Sequence, residues 1–81
     1  MTKEEIFEKV RDIISERCKI DKNSINLDSD FELDLQLDSL DIVEITMKIE
    51  EEFNININDE DVMRMRKISD VVDYIYDNKK S

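Results

Sequence analysis

The sequence predicts an all-α domain, a small four-helix bundle with a long loop between helices I and II and a short third helix. Three observations predict it. Apolar residues recur at helical spacing in separate stretches of the 81 residues. Residues able to cap a helix stand at the head of those stretches. The length suits a single domain, residues 1–81, that buries about 60% of the surface its unfolded chain exposes, which leaves little room for a large internal active-site cleft.

Helix I is predicted over residues 3 to 18. Thr2-x-x-Glu5 has the form of a capping box, and Ile6, Phe7, Val10, Ile13, Ile14 and Cys18 follow as one apolar stripe. Cys18 falls on that stripe, so it is assigned to packing rather than to thiol chemistry. From Lys19 to Asp38 the pattern changes. Phe31, Leu33, Leu35 and Leu37 alternate with Glu32, Asp34 and Gln36 as a half-buried strand would, and Asn54-Ile55-Asn56-Ile57-Asn58 alternates too. A two-stranded pairing of residues 31–37 with 54–58 is therefore a rival to an extended or turn-like loop. Two lone strands are marginally stable, which weighs against the pairing.

Asp38 is the predicted N-cap of helix II, which runs to Phe53 with Asp41 in its first turn, near the positive end of the helix dipole. On a helical wheel Asp41, Glu44, Lys48, Glu51 and Glu52 share a polar arc, while Ile42, Val43, Ile45, Ile49 and Phe53 fall opposite. Leu40 and Met47, seven residues apart, lie at the border of the two arcs, where periodicity places them on the core rim. Asn58 or Asp59 caps a short helical turn through Met65, with Met63 and Met65 as core residues. Ile68, Val71, Val72 and Ile75 predict a last helix from Ser69 to Tyr76, followed by a frayed tail, residues 78–81.

Charge narrows the function. With 22 acids against 12 bases, the net charge is -10, which disfavours nucleic acid and anionic membrane surfaces and favours partners with basic patches. One cysteine forms no internal disulfide, and there is no Cys/His cluster for zinc. No apolar run is long enough to cross a membrane, and the acidic amino end does not resemble a targeting peptide. The expectation is a monomeric cytoplasmic protein, although a mature organellar form would read the same way.

The sequence holds no histidine and no glycine. Imidazole-activated serine or cysteine nucleophiles and glycine-rich phosphate loops are thereby excluded, so no catalytic residue is assigned. Asp28-x-Asp30-x-Glu32 suggests a calcium loop, but Leu33 and Ser39 stand where such a loop needs glycine and glutamate, so no metal site is assigned.

The remaining constellation is Asp34-Leu35-Gln36-Leu37-Asp38-Ser39-Leu40-Asp41, then Glu44, Met47 and Glu50-Glu51-Glu52-Phe53. It resembles the acyl carrier proteins of fatty acid synthesis, and the likeness spans nearly the whole chain. The resemblance implies a non-catalytic carrier. Ser39 would receive 4′-phosphopantetheine from coenzyme A through a phosphopantetheinyl transferase (holo-acyl-carrier-protein synthase), and acyl groups would ride on the arm as thioesters. It also implies that Asp38, Leu40, Asp41, Glu44, Met47, Glu50, Glu51 and Asp59 meet the basic docking patches of fatty acid synthesis and acyl transfer enzymes, while the apolar interior shelters the chain.

A bottom-up argument supports Ser39 independently. A serine at a helix mouth exposes its hydroxyl beside unpaired N–H groups that suit a phosphate, although an ordinary capping serine would occupy the same place. The chain departs from the family pattern at Gln36 (glycine), Leu37 (alanine), Asn58 (proline) and Met63 (an acid). A family glycine at positive φ would leave Gln36 strained or the loop altered. Carriers for D-alanylation, polyketide, peptide or specialised lipid assembly would share the attachment chemistry. An acidic helical adaptor without a prosthetic group would share the composition alone.

Overall fold

A computed structural model describes residues 2–79. It contains helices α1 (Lys3–Cys18), α2 (Ser39–Phe53), α3 (Asp59–Arg64) and α4 (Ile68–Lys79), with a 3-10 turn at Lys22–Ser24 in the long first loop. No strand occurs among the described residues. The fold is the predicted all-α bundle.

The capping signals act as read. Thr2 and Glu5 exchange hydrogen bonds at the head of α1, with Glu5 N–H donating to Thr2 Oγ1 at 3.2 Å and Thr2 N–H to Glu5 Oε1 at 3.0 Å. The helix stops where Lys19 turns left-handed, and Ser15 Oγ donates to Ile20 O at 2.6 Å, taking a carbonyl just beyond the helix end. α1 packs against both α2 and α4. Its stripe of Ile6, Val10, Ile13 and Ile14 joins Ile45, Ile49 and Phe53 of α2 and Ile68, Val71, Val72 and Ile75 of α4 in one core. Truncating a fully buried member such as Ile14 or Ile49 to alanine would cost about 2–5 kcal/mol, a large share of the 5–15 kcal/mol typical of a whole domain.

Several boundaries and burials differ from the reading. α4 begins one residue earlier, at Ile68, because Asp70 Oδ2 accepts the N–H groups of Arg66 and Lys67, each at 3.0 Å. It also continues to Lys79, with Asn78 Nδ2 donating to Tyr74 O at 2.8 Å, so Asn78 and Lys79 are helix rather than tail. Lys80 and Ser81 lie outside the described residues. Asn58 flanks α3 but makes no side-chain cap bond. Leu40, Val43, Met47 and Met63, placed by periodicity in the core or on its rim, are exposed, as is Leu33.

The rival strand pairing does not form. Asn54 turns left-handed and ends α2, and Glu50 takes Ile55 N–H on its carbonyl and Ile57 N–H on its carboxylate at 3.1 Å. Residues 54–58 therefore hang from α2. Residues 30–35 coil into turns. Asp30 O accepts from the N–H groups of Asp34 and Leu35, while Asp30 Oδ1 accepts from Glu32 N–H at 2.9 Å and Leu33 N–H at 3.0 Å. The alternation arises because Phe31, Leu35 and Leu37 each reach the core from this coiled path while Leu33 stays outside. The loop pairs instead with the joint between α3 and α4, through an isolated bridge of Asp30 to Lys67.

A chain without glycine must use other residues wherever φ is positive, and here these are Lys19, Gln36 and Asn54. Asparagine tolerates that region best of the three. Gln36, at φ 55° between buried Leu35 and Leu37, bears the strain that the departure from the family glycine implied. Gln36→Gly should relieve about 1–2 kcal/mol of left-handed strain and lose about 0.4–1 kcal/mol to the freer unfolded chain. The difference centres on a net gain of about 0.8 kcal/mol, a rise of roughly 3–6 °C in Tm, measured by thermal melts. An unchanged or lower Tm would show that the loop holds this geometry without strain.

Candidate functional site

The site is built where the loop enters α2. Phe31 and Leu37 are buried, and Leu37 N–H donates to Phe31 O at 2.9 Å, closing the turn beneath the helix head. Asp38 is extended and caps α2. Its Oδ1 accepts Asp41 N–H at 2.9 Å, and Asp41 Oδ2 accepts Asp38 N–H at 3.3 Å. This reciprocal box, with an aspartate in the place usual for Glu or Gln, stiffens the first turn. Ser39 is the first helical residue and is exposed. Among the described residues neither Ser39 N–H nor Leu40 N–H has a protein acceptor, as expected of the first donors of a helix.

Ser39 stands on the wall of an open groove of about 460 Å³. The turn Asp30–Leu33 forms one side, Ile42 and Val43 of α2 another, and Val62, Met63, Met65 and Arg66 the third. Beneath it lies a small pocket of about 10 Å³ between α2, α3 and α4, lined by Ile45, Ile49, Ile57 and Val71 together with Phe31, Ile42, Val62 and Met65, which also line the groove. Thr46 also lines the pocket, and its hydroxyl donates to Ile42 O at 2.7 Å, so no unsatisfied polar group comes from it. The pocket beneath is apolar apart from Thr46, whereas the groove above it also carries Asp30, Glu32 and Arg66.

The other predicted site residues divide into groups. Asp38 and Asp41 share the helix head with Ser39. Leu40, Glu44, Met47 and Glu51 follow at spacings of four, three and four, which places them on one face of α2. Leu40 is 66% and Met47 59% exposed, so the rim position that periodicity favoured is wrong for both, and two large apolar side chains lie open beside acids. Glu44 is ion-paired with Arg17 of α1, while Glu51 stands loosely 3.9 Å from Lys48 Nζ. Glu50 is half-buried and turned toward Ile57 N–H, a structural bond that periodicity did not show. Asp59 is exposed in the first turn of α3 and does not join the α2 face. Leu33, Val43 and Arg66 belong to the groove but carried no signal as site residues, and Met63, read as core, lines it too.

The family model described as Phosphopantetheine attachment site matches residues 8–75. The chain is 44% identical over 75 residues to the acyl carrier protein of Lactobacillus johnsonii, covering 93% of this chain and 94% of that one. It is 49% identical over 70 residues to the acyl carrier protein of Clostridium acetobutylicum, covering 86% and 91%. The chain belongs to the acyl carrier protein family. A third member, the acyl carrier protein of Cyanidium caldarium, is 48% identical over 77 residues, covering 95% of this chain and 90% of its own. Members of the phosphopantetheine-attachment family hold 4′-phosphopantetheine covalently, and this chain is such a carrier. The residues at the head of α2 fit the group, with an exposed hydroxyl, two free N–H donors and a groove opening directly beside them. No described helix is long and apolar enough to cross a membrane.

Cys18 does not belong to this site. It is half-buried at the end of α1, and burial, followed by the negative charge of Asp41, pushes its thiol above the ordinary cysteine value, so it is a poor nucleophile at neutral pH.

The turn under the site carries a pH dependence. The N–H groups of Leu33 and Glu32 hold the Asp30 carboxyl below its ordinary value of 3.8. A depressed carboxyl contributes stability above the unfolded-state value and loses it as pH falls through the folded-state value. Asp30→Ala should therefore lower Tm at pH 7, and the decrement should shrink as pH falls below 3.8. Melts of both proteins from pH 7 to pH 3 check this. A decrement that stayed constant over the range would mean that the ionised carboxylate does not hold the turn.

Proposed function

We propose that Ser39 carries the 4′-phosphopantetheine arm and that the chain shuttles acyl groups, as thioesters on the arm, between enzymes of fatty acid biosynthesis. The observation that carries this reading is the place of Ser39, exposed on the wall of a groove whose apolar side chains Phe31, Ile42, Val62 and Met65 also line the pocket beneath it. In the modification, a bond forms from Ser39 Oγ to phosphorus of coenzyme A, the nucleotide half leaves, and the serine proton passes to a base. Asp38 and Asp41 are poor candidates for that base, since each carboxylate already accepts a backbone N–H of the capping box. A transferase would supply it, so the chain acts as a substrate and carrier rather than a catalyst.

The interior favours hydrocarbon cargo. Each methylene buried there would gain about 0.8 kcal/mol, whereas a hydroxyl or amine would lose its water without a partner, at a cost of about 1–3 kcal/mol. A pocket of about 10 Å³ holds at most about one water, so a wall must move to admit an acyl chain. α3 is the wall best suited to move, since it has six residues, none of them buried, and no side-chain cap. The partner face follows from α2, where Leu40, Met47 and Glu51 offer apolar contact beside negative charge, with Asp38, Asp41, Glu44, Glu50 and Asp59 adding to the acidic field that draws basic enzymes. A cytoplasmic location accords with the single free cysteine and the partners proposed.

Two experiments test the reading. Incubation with a phosphopantetheinyl transferase, coenzyme A and magnesium should add one phosphopantetheine to the intact mass, and Ser39→Ala should abolish the addition. An unchanged wild-type mass, where a control carrier is modified, would remove the central claim. For docking, Glu51→Lys should raise the Michaelis constant of an acyl-loading enzyme about two- to fivefold, the range expected of one exposed ion pair. Glu16→Lys on α1, which changes net charge by the same amount, should have a smaller effect, and the gap should close with added salt. Glu44 is the poorer probe, because reversing it also breaks its pair with Arg17. Equal losses in the two variants would leave only general attraction and no docking face.

A further inference from the structure

Arg66 is the sole cation among the described residues that line the groove with Ser39; the other charged groups there are Asp30 and Glu32. Asp38 and Asp41 stand at the helix head beside them. A phosphodiester on Ser39 would thus bring a further negative charge into a mouth already rich in carboxylates. Two backbone donors, Ser39 N–H and Leu40 N–H, are free to meet it, but they do not balance that charge.

Arg66 is placed to do so. Its backbone is held on both sides, since its C=O accepts Phe31 N–H at 2.9 Å and its N–H donates to Asp70 Oδ2 at 3.0 Å. Its side chain is exposed and makes no ion pair among the described residues. Asp30 feels the Arg66 charge, yet Asp30 Oδ1 is already engaged by the N–H groups of Leu33 and Glu32. A guanidinium on an anchored root, in no ion pair among the described residues, matches a phosphate through paired N–H donors better than a lysine would. The neighbouring cations Arg64 and Lys67 do not line the groove.

We propose that Arg66 is a positioning residue, whose guanidinium pairs with the phosphodiester on Ser39 and lays the root of the arm along the groove, toward the apolar entrance between Ile42 and Met65. The proposal rests on the reading of Ser39 as the attachment residue. It assigns Arg66 no role in making or breaking the phosphate bond. Its effect is on where the arm begins, and so on how often the thioester end meets the groove rather than open water.

The test uses the full chain, converted to the holo form and checked by intact mass before any other measurement. Failure to gain the mass would overturn the attachment reading and this proposal with it. With the arm in place, phosphorus-31 NMR of the phosphodiester is compared among wild type, Arg66→Gln, Arg66→Lys and Arg64→Gln. Arg66→Gln should shift the resonance and increase the fast motion of the arm, with the paired population falling about two- to fivefold, the range of an exposed ion pair. Arg66→Lys should restore part of the effect, and Arg64→Gln should resemble wild type. Added sodium chloride should move the wild-type resonance toward that of Arg66→Gln. In wild-type protein labelled with nitrogen-15, the Arg66 Nε–H resonance should move on conversion from apo to holo, a readout that needs no variant to fold. A stationary Arg66 Nε–H, or phosphorus resonances that coincide in wild type and Arg66→Gln at low salt, would overturn the pairing.

Discussion

The site depends on a short run of backbone hydrogen bonds that ties the first loop to the joint before α4. Phe31 N–H donates to Arg66 O at 2.9 Å, Ile68 N–H to Ser29 O at 3.1 Å, and Ser69 N–H to Leu27 O at 2.9 Å. Ser29, the one buried polar side chain among the described residues, reinforces the run by accepting Asn26 N–H at 2.9 Å. The run holds Phe31 against the core and fixes the end of α3 from the other side. Without it, α3, which has no buried residue of its own, would be tied only from the side of residues 54–58. Both the floor and one wall of the groove beside Ser39 follow from this single tie.

The helices were legible because local chemistry and burial agree in them. Thr2 with Glu5, and Asp38 ahead of Ile42, Ile45 and Ile49, give start signals followed at once by an apolar stripe, and both helices begin where those signals stand. The loop was less legible because its alternation has two physical meanings. Phe31, Leu35 and Leu37 are buried as strand residues would be, yet Asp30 coils the backbone by capturing the N–H groups of Glu32 and Leu33. An aspartate ahead of such a run is a turn signal in its own right, and it outweighs the period of two. The ends of α4 were misplaced for a related reason. Asp70 and Asn78 bond to the backbone and lengthen the helix by means that an apolar stripe does not register.

The serine was legible at the site because it stands in a motif at a helix head, a position with its own backbone chemistry. Its surroundings were not. Leu40 and Met47 sit at the edge of the apolar arc, and their exposure depends on whether another helix covers that edge. The packing of α1 and α4 leaves it open. Arg66 and Met63 reach the groove only because the joint after α3 folds back onto the loop, a contact between segments more than 30 residues apart in sequence. Periodicity within one helix carries no information about such a meeting.

Charge and apolar surface are divided between the outside and the inside of this chain, and the division bears on how a carrier of this kind would release its load. The net charge of -10 sits on the surface, where it repels itself and favours any partner that brings cations. The pocket beneath the groove is apolar and only about 10 Å³ in volume, so hydrocarbon would gain from entering it and the bundle would be strained by opening for it. These two terms oppose each other, and a balance near zero suits a shuttle better than tight retention. On the docking face proposed for α2, a partner would touch the helix whose inner face, through Ile42, Ile45 and Ile49, lines that pocket. Contact on the charged face and occupancy of the apolar one therefore meet in a single rigid element. A small shift of α2 against α3 would change both at once, so recognition of the carrier and release of its chain need no separate switch.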